Sequence, residues 1–272
     1  MTAPAALAED LTRDLALIVE AAHEAGALAL DLRRKGLEIE YKAHDSTPVT
    51  NADLAADALL TRRLRTGRPA YGWLSEETAD DSDRLARQRL FVVDPIDGTR
   101  AFLNDRPWWS VSIAVVDGDR PVAGVVFAPE LDETYVATPG GGATLNGAAI
   151  RASDASAIED CAMVGDPRLF THPGWATPWP PMRVKQRNST AYRMCLVAAG
   201  QFDAAVALGS KHDWDLAAAD LIAGEAGCFV GDSGGAPFAY NGVRPKQKNL
   251  VCAAPRLAPL LLERLKTIGA SR

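Results

Sequence analysis

The run Val93-Asp94-Pro95-Ile96-Asp97-Gly98-Thr99 places two carboxylates close together just after an apolar strand. Pro95 restricts the backbone so that they can converge, Gly98 permits a tight approach, and Thr99 is placed to begin a short helix. Their oxygens suit magnesium, which takes carboxylate, carbonyl and water ligands in an octahedral shell. The amides of Gly98 and Thr99 would meet a phosphate at a helix N-terminus, where the partial charge is positive. A β-turn whose aspartates merely cap and bind water is the plain alternative for this motif alone.

Two further acidic groups bear on that choice. Glu76-Glu77 follows the apolar Trp73-Leu74, and adjacent carboxylates repel unless they are solvated or bridged by a cation. Asp215 follows Trp214 at a helix start, where an acid is also an ordinary dipole partner. His44 and His212 have no metal-ligand spacing and are given no catalytic role.

Several elements must position these groups. Leu11, Leu15, Ile18, Ala22, Ala25 and Ala29 share one face of a long first helix. Thr50 can cap a second helix reaching about Arg65, with Asp53 in its first turn. From Leu90 onward, Phe91 to Val93, Val111 to Val116, Val122 to Phe127 and Thr134 to Ala137 read as an antiparallel meander. Gly140 to Gly142 and the polar stretch Arg151 to Glu159 suggest a boundary. Residues 1–150 would then form an N-terminal α+β lobe and 151–272 a C-terminal α/β lobe. A helix is expected from Asp213 to Gly227, placing Asp215 in its first turn, and a last one from about Pro255 to Thr267.

A chain of 272 residues with 47% hydrophobic content can bury a real core. A net charge of -6 gives no broad basic surface, which disfavours a nucleic-acid polymer as partner. Cys161, Cys195, Cys228 and Cys252 are widely separated and form no ligand motif, as expected of reduced thiols in a cytoplasmic protein. Glu9 and Asp10 stand where a signal peptide would carry Lys or Arg, and charges interrupt every apolar run before membrane-spanning length.

Together these pieces resemble the inositol monophosphatase superfamily, which includes inositol monophosphatases, fructose bisphosphatases and CysQ-type bisphosphate nucleotidases. The resemblance comprises Lys42 with Ser46 to Asp53, Leu74-Ser75-Glu76-Glu77, Asp94 to Thr99, and Trp214-Asp215 leading to Glu225-Ala226-Gly227. It implies an α+β fold, a layered αβαβα sandwich. It also implies one magnesium on Glu76, Asp94 and the Ile96 carbonyl, and a second on Asp94, Asp97 and Asp215. Water activated by the metal and oriented by Glu76 and Thr99 would attack phosphorus in line. Asp53 would assist through Thr99 or the water, Glu77 would support the site from outside, and Gly98 with Thr99 would receive the phosphate. Lithium inhibition and a homodimer joined through the strand-rich surface are implied in the same way.

Within the superfamily, Leu74-Ser75-Glu76-Glu77, Val125 to Pro129 and Cys195 to Gln201 look like the CysQ type. Ala207 stands where inositol-specific relatives commonly place a Glu. The implied substrate is 3'-phosphoadenosine 5'-phosphate, cleaved to AMP and phosphate. Lys185, Arg187, Arg193 and Lys211 are possible partners for its second phosphate, although Asn188-Ser189-Thr190 departs from the Gly-Ser-Ser of CysQ relatives. Trp108-Trp109 and Tyr192 could stack a base, with packing in the core as the alternative. An inositol-1-phosphate or broader sugar-phosphate phosphatase is the competing enzyme, and a catalytically silent regulatory protein of the same fold is the competing class.

Overall fold

The computed structural model describes residues 3–41 and 47–266, so Lys42, His44, Ser46 and Thr267 lie outside the described residues. A long helix, α1 (Ala3–Lys35), leads through a small ribbon of β1 (Ile39–Tyr41) and β2 (Pro48–Thr50) to α2 (Asn51–Gly67). Then come β3 (Gly72–Ser75), β4 (Arg89–Asp97), the short helix α3 (Thr99–Leu103), β5 (Ser110–Asp117), β6 (Arg120–Ala128), β7 (Glu133–Ala137), β8 (Ala143–Leu145) and β9 (Ala148–Ile150). The second half contains β10 (Ala162–Val164), β11 (Arg183–Lys185), α4 (Thr190–Ala198), β12 (Ala204–Ala207), β13 (Lys211–His212) and α5 (Asp213–Glu225). It closes with β14 (Phe229–Gly231), β15 (Lys246–Gln247), β16 (Leu250–Ala253) and α6 (Ala258–Leu265).

Alternating side chains sort these elements into five layers. Phe91 and Val93 of β4, with Ile113 and Val115 of β5, face α1 and α2 and bury Ile18, Ala22, Ala25, Ala29, Leu60 and Leu64. Leu90, Val92, Ala114 and Val116 point the other way, onto α4 and α5. Those helices also cover Val164, Ala205 and Cys252 of the second sheet, ordered β11-β10-β12-β16-β14. Met163, Ala204, Val206 and Val251 line its outer face beneath α6 and Trp175. The order is therefore helices, seven-stranded sheet, helices, five-stranded sheet, helix: the αβαβα sandwich that the resemblance implies.

Some local expectations change. The Asp94 to Asp97 segment lies within β4 rather than after it, because pairing with β5 continues through the acidic residues. Gly140 to Gly142 turns between two strands of the first sheet, so it marks no boundary. The sheets themselves are joined through residues 151–161. The last helix starts at Ala258 rather than Pro255. No disulfide occurs among the described residues: Cys161, Cys195 and Cys252 are buried and Cys228 is half-buried. No helix among the described residues is long and apolar enough to cross a membrane.

Candidate active site

The spacing of Asp94 and Asp97 is explained by a bulge. In the antiparallel pairing of β4 with β5, Asp94 lies opposite Ser112 and Asp97 opposite Ser110, so three steps on one strand match two on the other. Residues three apart in a regular strand face opposite sides; the extra residue restores both carboxylates to one side. Pro95 is tolerated because a bulge needs no ladder N–H there. The Ile96 amide turns back to donate to Asp94 Oδ1 at 3.1 Å.

Asp215 comes from the middle layer. It lies in the first turn of α5 and accepts the His212 amide at 2.8 Å, closing a capping box. One carboxylate oxygen from each of Asp94, Asp97 and Asp215 lies within 4.8 Å of the others. Glu76 directly follows β3, and its amide donates to the Val93 carbonyl at 3.2 Å, extending the parallel pairing of β3 with β4. This pairing sets Glu76 beside Asp94. The four acids named from the sequence thus gather in one place.

Their mutual repulsion shows in their acidities. Burial first, then Glu76, Asp97 and Asp215, raises Asp94 well above the usual carboxylate range. Asp97 is pushed up to about 6 by burial first and by Asp215 next. Acting against that rise, Ser189 Oγ donates to Asp97 at 2.6 Å and the Ala191 amide at 2.7 Å, and Lys211 attracts the charge. The Thr190 amide adds a bond at 3.2 Å, so the α4 N-terminus holds this carboxylate.

Around the cluster, Gly98 has φ +96°, and a Cβ there would stand 3.1 Å from both the Ser189 nitrogen and the Trp108 carbonyl oxygen. Left-handed backbone and close approach therefore both demand glycine. Thr99 Oγ1 donates to the Ile96 carbonyl at 3.3 Å. Buried Asp53 caps α2, accepting the Thr50 amide at 2.8 Å and hydroxyl at 2.6 Å. Thr99 begins α3, which packs beside β2, the strand whose Thr50 binds Asp53. The Glu77 amide lies 3.5 Å from Ser75 Oγ. Lys42 lies outside the described residues.

Sequence reasoning missed Asp57, which accepts Ser75 Oγ at 2.5 Å and Thr78 Oγ1 at 2.7 Å and so braces both flanks of Glu76-Glu77. An acid one turn after Asp53, on a stripe with Ala56 and Leu60, was the available signal. Glu225, read as part of a motif, accepts the amides of Gly140 and Gly142, both at 2.9 Å, and clasps that turn.

Two cavities are lined by residues near the cluster. One of about 540 Å³ is lined by Asp166, His172, Arg193, Ala207 and Lys211 among others. Arg193 is only 7% exposed; its Nε donates to the Ser189 carbonyl and its Nη2 to Thr190 Oγ1, and it makes no ion pair among the described residues. Burial lowers its pKa, while Asp97, Asp215 and Asp166 act from a distance to raise it. The other cavity, about 470 Å³, reaches Glu76, His212 and Trp214.

The remaining candidates separate. Lys185 lines a different cavity with Arg183 and Phe202. Arg187 stacks over Trp108 with its guanidinium carbon 3.9 Å from the ring centroid. Trp109 is fully buried against Phe102, and buried Tyr192 donates its hydroxyl to Glu133 at 2.9 Å. Neither presents a face to a base, so core packing accounts for both.

A model of the inositol monophosphatase family matches residues 10–270. The chain is 32% identical to inositol monophosphatase 2 of Solanum lycopersicum, over 81% of this chain and 87% of that protein. It is 30% identical to the 3'(2'),5'-bisphosphate nucleotidase CysQ of Aggregatibacter actinomycetemcomitans, over 82% and 86%. The crystal structure of extragenic suppressor protein suhB from Bartonella henselae superposes with a TM-score of 0.78 at 30% identity, covering 92% of this chain and 97% of that one.

Proposed function

The chain belongs to the inositol monophosphatase family and is a metal-dependent phosphoric monoester hydrolase, and from that premise we propose that it uses magnesium to convert 3'-phosphoadenosine 5'-phosphate into AMP and phosphate. The donor set fits the ion. Glu76, Asp94, Asp97 and Asp215 offer only oxygen, and the upward shifts of Asp94 and Asp97 mean that the cluster resists full ionisation until a cation neutralises it. Glu76, Asp94 and the Ile96 carbonyl would hold one magnesium, and Asp94, Asp97 and Asp215 a second. The metal, when bound, supplies charge to the phosphate and makes water a better nucleophile near neutral pH.

The chain's own groups do the positioning. The Gly98 and Thr99 amides precede those that α3 uses internally and are directed to the phosphate. Glu76 and Thr99 orient the attacking water, Asp53 assists from the α2 cap, and Glu77 supports Glu76. Arg193 and Lys211 receive a second phosphate on the leaving group. The observation that carries the substrate choice is Arg193: a buried guanidinium beside a cavity, attracted by Asp97, Asp215 and Asp166 but forming no ion pair among the described residues, suits an anion on the leaving group.

The competing reading is an inositol-1-phosphate or sugar-phosphate phosphatase, favoured by the similarity to the tomato enzyme's sequence. A catalytically silent regulator is disfavoured by the intact set of four acids. Magnesium-dependent phosphate release should be compared across bisphosphonucleotides, inositol phosphates and sugar bisphosphates. Preference for the first group is expected; turnover of inositol phosphate with none of the bisphosphonucleotide refutes the substrate assignment.

A further inference from the structure

The two cavities lie on opposite sides of one short ribbon. Lys211 and His212 are consecutive residues of β13, and successive strand residues point to opposite faces. Lys211 lines the Arg193 cavity, whereas His212 lines the other, together with Glu76, Trp214, Val243, Arg244 and Lys246. The second is lined by Glu76 of the acid cluster itself, and the first by Lys211 and by Arg193, whose helix holds Asp97 through the Ala191 amide. Displacement at phosphorus is in line, so the entering and departing oxygens occupy opposite sides. With the leaving group anchored at Arg193, the nucleophile enters from the Glu76 side.

That entry is much larger than water requires. It measures about 470 Å³, whereas by the same measure one water needs about 10–15 Å³. His212 and Trp214, both lining the cavity, stack at 4.4 Å with 10° between their planes. Val243, 80% exposed, places an apolar side chain on its rim. Arg244 and Lys246 add cations that form no ion pair among the described residues.

The adjoining 241–246 segment, whose Lys246 pairs with His212, is held by several hydrogen bonds. Asp213, fully buried, accepts the Asn241 amide and Gln247 Nε2, each at 2.9 Å, while its own amide donates to the Pro245 carbonyl at 3.1 Å. Buried Arg84 binds Asn241 Oδ1 at 2.6 Å and the Gly242 carbonyl at 3.0 Å and is itself paired with Asp80. Both ends of the 241–246 segment are thereby fixed beside Glu76.

We propose that this cavity admits an alcohol as phosphoryl acceptor in place of water, giving the protein a phosphotransferase activity towards small aromatic alcohols that carry an anionic group. The proposal rests on the phosphatase reading above. The acceptor oxygen forms a new bond to phosphorus, the bond from phosphorus to the leaving oxygen breaks, and the acceptor's hydroxyl proton ends on the departing alkoxide. No other reagent is consumed. The ring lies against Trp214 and Val243, and the anionic group reaches Arg244 and Lys246.

The test supplies the intact protein with magnesium, a phosphate monoester donor, and either 4-(hydroxymethyl)benzoate or glycerol, and follows the new ester and inorganic phosphate by phosphorus NMR. The expected ester-to-phosphate ratio is at least about tenfold higher with the aromatic acid, the equivalent of 1.4 kcal/mol of preferential binding, and it saturates with acceptor concentration. Val243→Asp or Arg244→Glu should lower that ratio by about tenfold while leaving the glycerol ratio unchanged. A ratio equal to that of glycerol and linear in concentration overturns the proposal. So does a Val243→Asp variant that weakens donor binding without altering the ratio, because the cavity would then belong to the donor. Phosphate without ester refutes the acceptor site alone; neither product removes the phosphatase reading and the acceptor site with it.

Discussion

Gly124→Ala tests whether the acid cluster depends on how closely α5 rests on the first sheet. At Gly124 of β6, an added Cβ would stand 2.9 Å from the Ala218 carbonyl oxygen and 3.2 Å from its Cα. Comfortable contact begins near 3.5 Å, so helix and strand must part by about half an ångström. Both opposing atoms are backbone, and no rotamer change can relieve them. Ala218 is one turn from Asp215, so the displacement reaches a residue whose carboxylate oxygen lies within 4.8 Å of those of Asp94 and Asp97. Overpacking of this kind costs about 1–3 kcal/mol. Functional constellations tolerate only ~0.5 Å, and since a 1 Å misplacement costs about 100-fold, half that distance should cost about tenfold. Thermal unfolding and magnesium-titrated phosphate release measure the two effects together. The variant should melt lower, need more magnesium for half-maximal rate, and lose about tenfold in kcat/KM. A lower melting temperature with unchanged magnesium demand and kcat/KM would break the inferred link between packing and site.

Asp97→Asn keeps one oxygen, which can still accept from Ala191 and Ser189 though not from Thr190 as well, and removes a charge from the cluster. Turnover should fall by roughly 100- to 1000-fold while the metal-free variant melts no lower than the parent; a folded, fully active variant removes Asp97 from the reaction. Arg193→Met should raise KM for the bisphosphonucleotide by about tenfold or more, the worth of a charged hydrogen bond, and leave KM for inositol phosphate nearly unchanged; equal effects on both would cancel the second-phosphate role. Asp220, which accepts the Tyr240 hydroxyl at 2.7 Å, is pushed up from 3.8 to about 6, mainly by burial. A raised carboxyl contributes stability that is fully present below pH 3.8 and lost as pH rises through about 6. Asp220→Asn removes this dependence. Between pH 4 and pH 7 the variant should gain up to about 3 kcal/mol relative to the parent in urea unfolding, and parallel pH profiles would show the assignment to be mistaken.

What was legible in the sequence was local. Thr50 capped its helix because a hydroxyl and an acid three residues later satisfy orphan amides within a single turn, and α5 began at Asp213 for reasons contained in its own periodicity. The identities of Glu76, Asp94, Asp97 and Asp215 were readable only in combination: each acid alone has an ordinary capping or solvated role, and their ordered occurrence, through the resemblance to the inositol monophosphatase superfamily, singled them out. The means that unite them were not. A bulge exists only relative to the strand opposite it, so the shared face of Asp94 and Asp97 depends on where Ser110 and Ser112 fall in β5. Glu76 depends on parallel pairing with Val93, and Asp97 on an α4 terminus 92 positions away, a separation at which residue spacing carries no information. Among the cations, sequence could not distinguish Lys185 from Arg193; one lines a different cavity, while the other is buried beside the acids and lacks an ion-pair partner among the described residues. On the substrate reading proposed above, specificity is the less legible property because it would reside in which cations the packing leaves without an ion pair among the described residues. A search for the substrate should therefore begin from the charge Arg193 needs rather than from the motif that binds the metal.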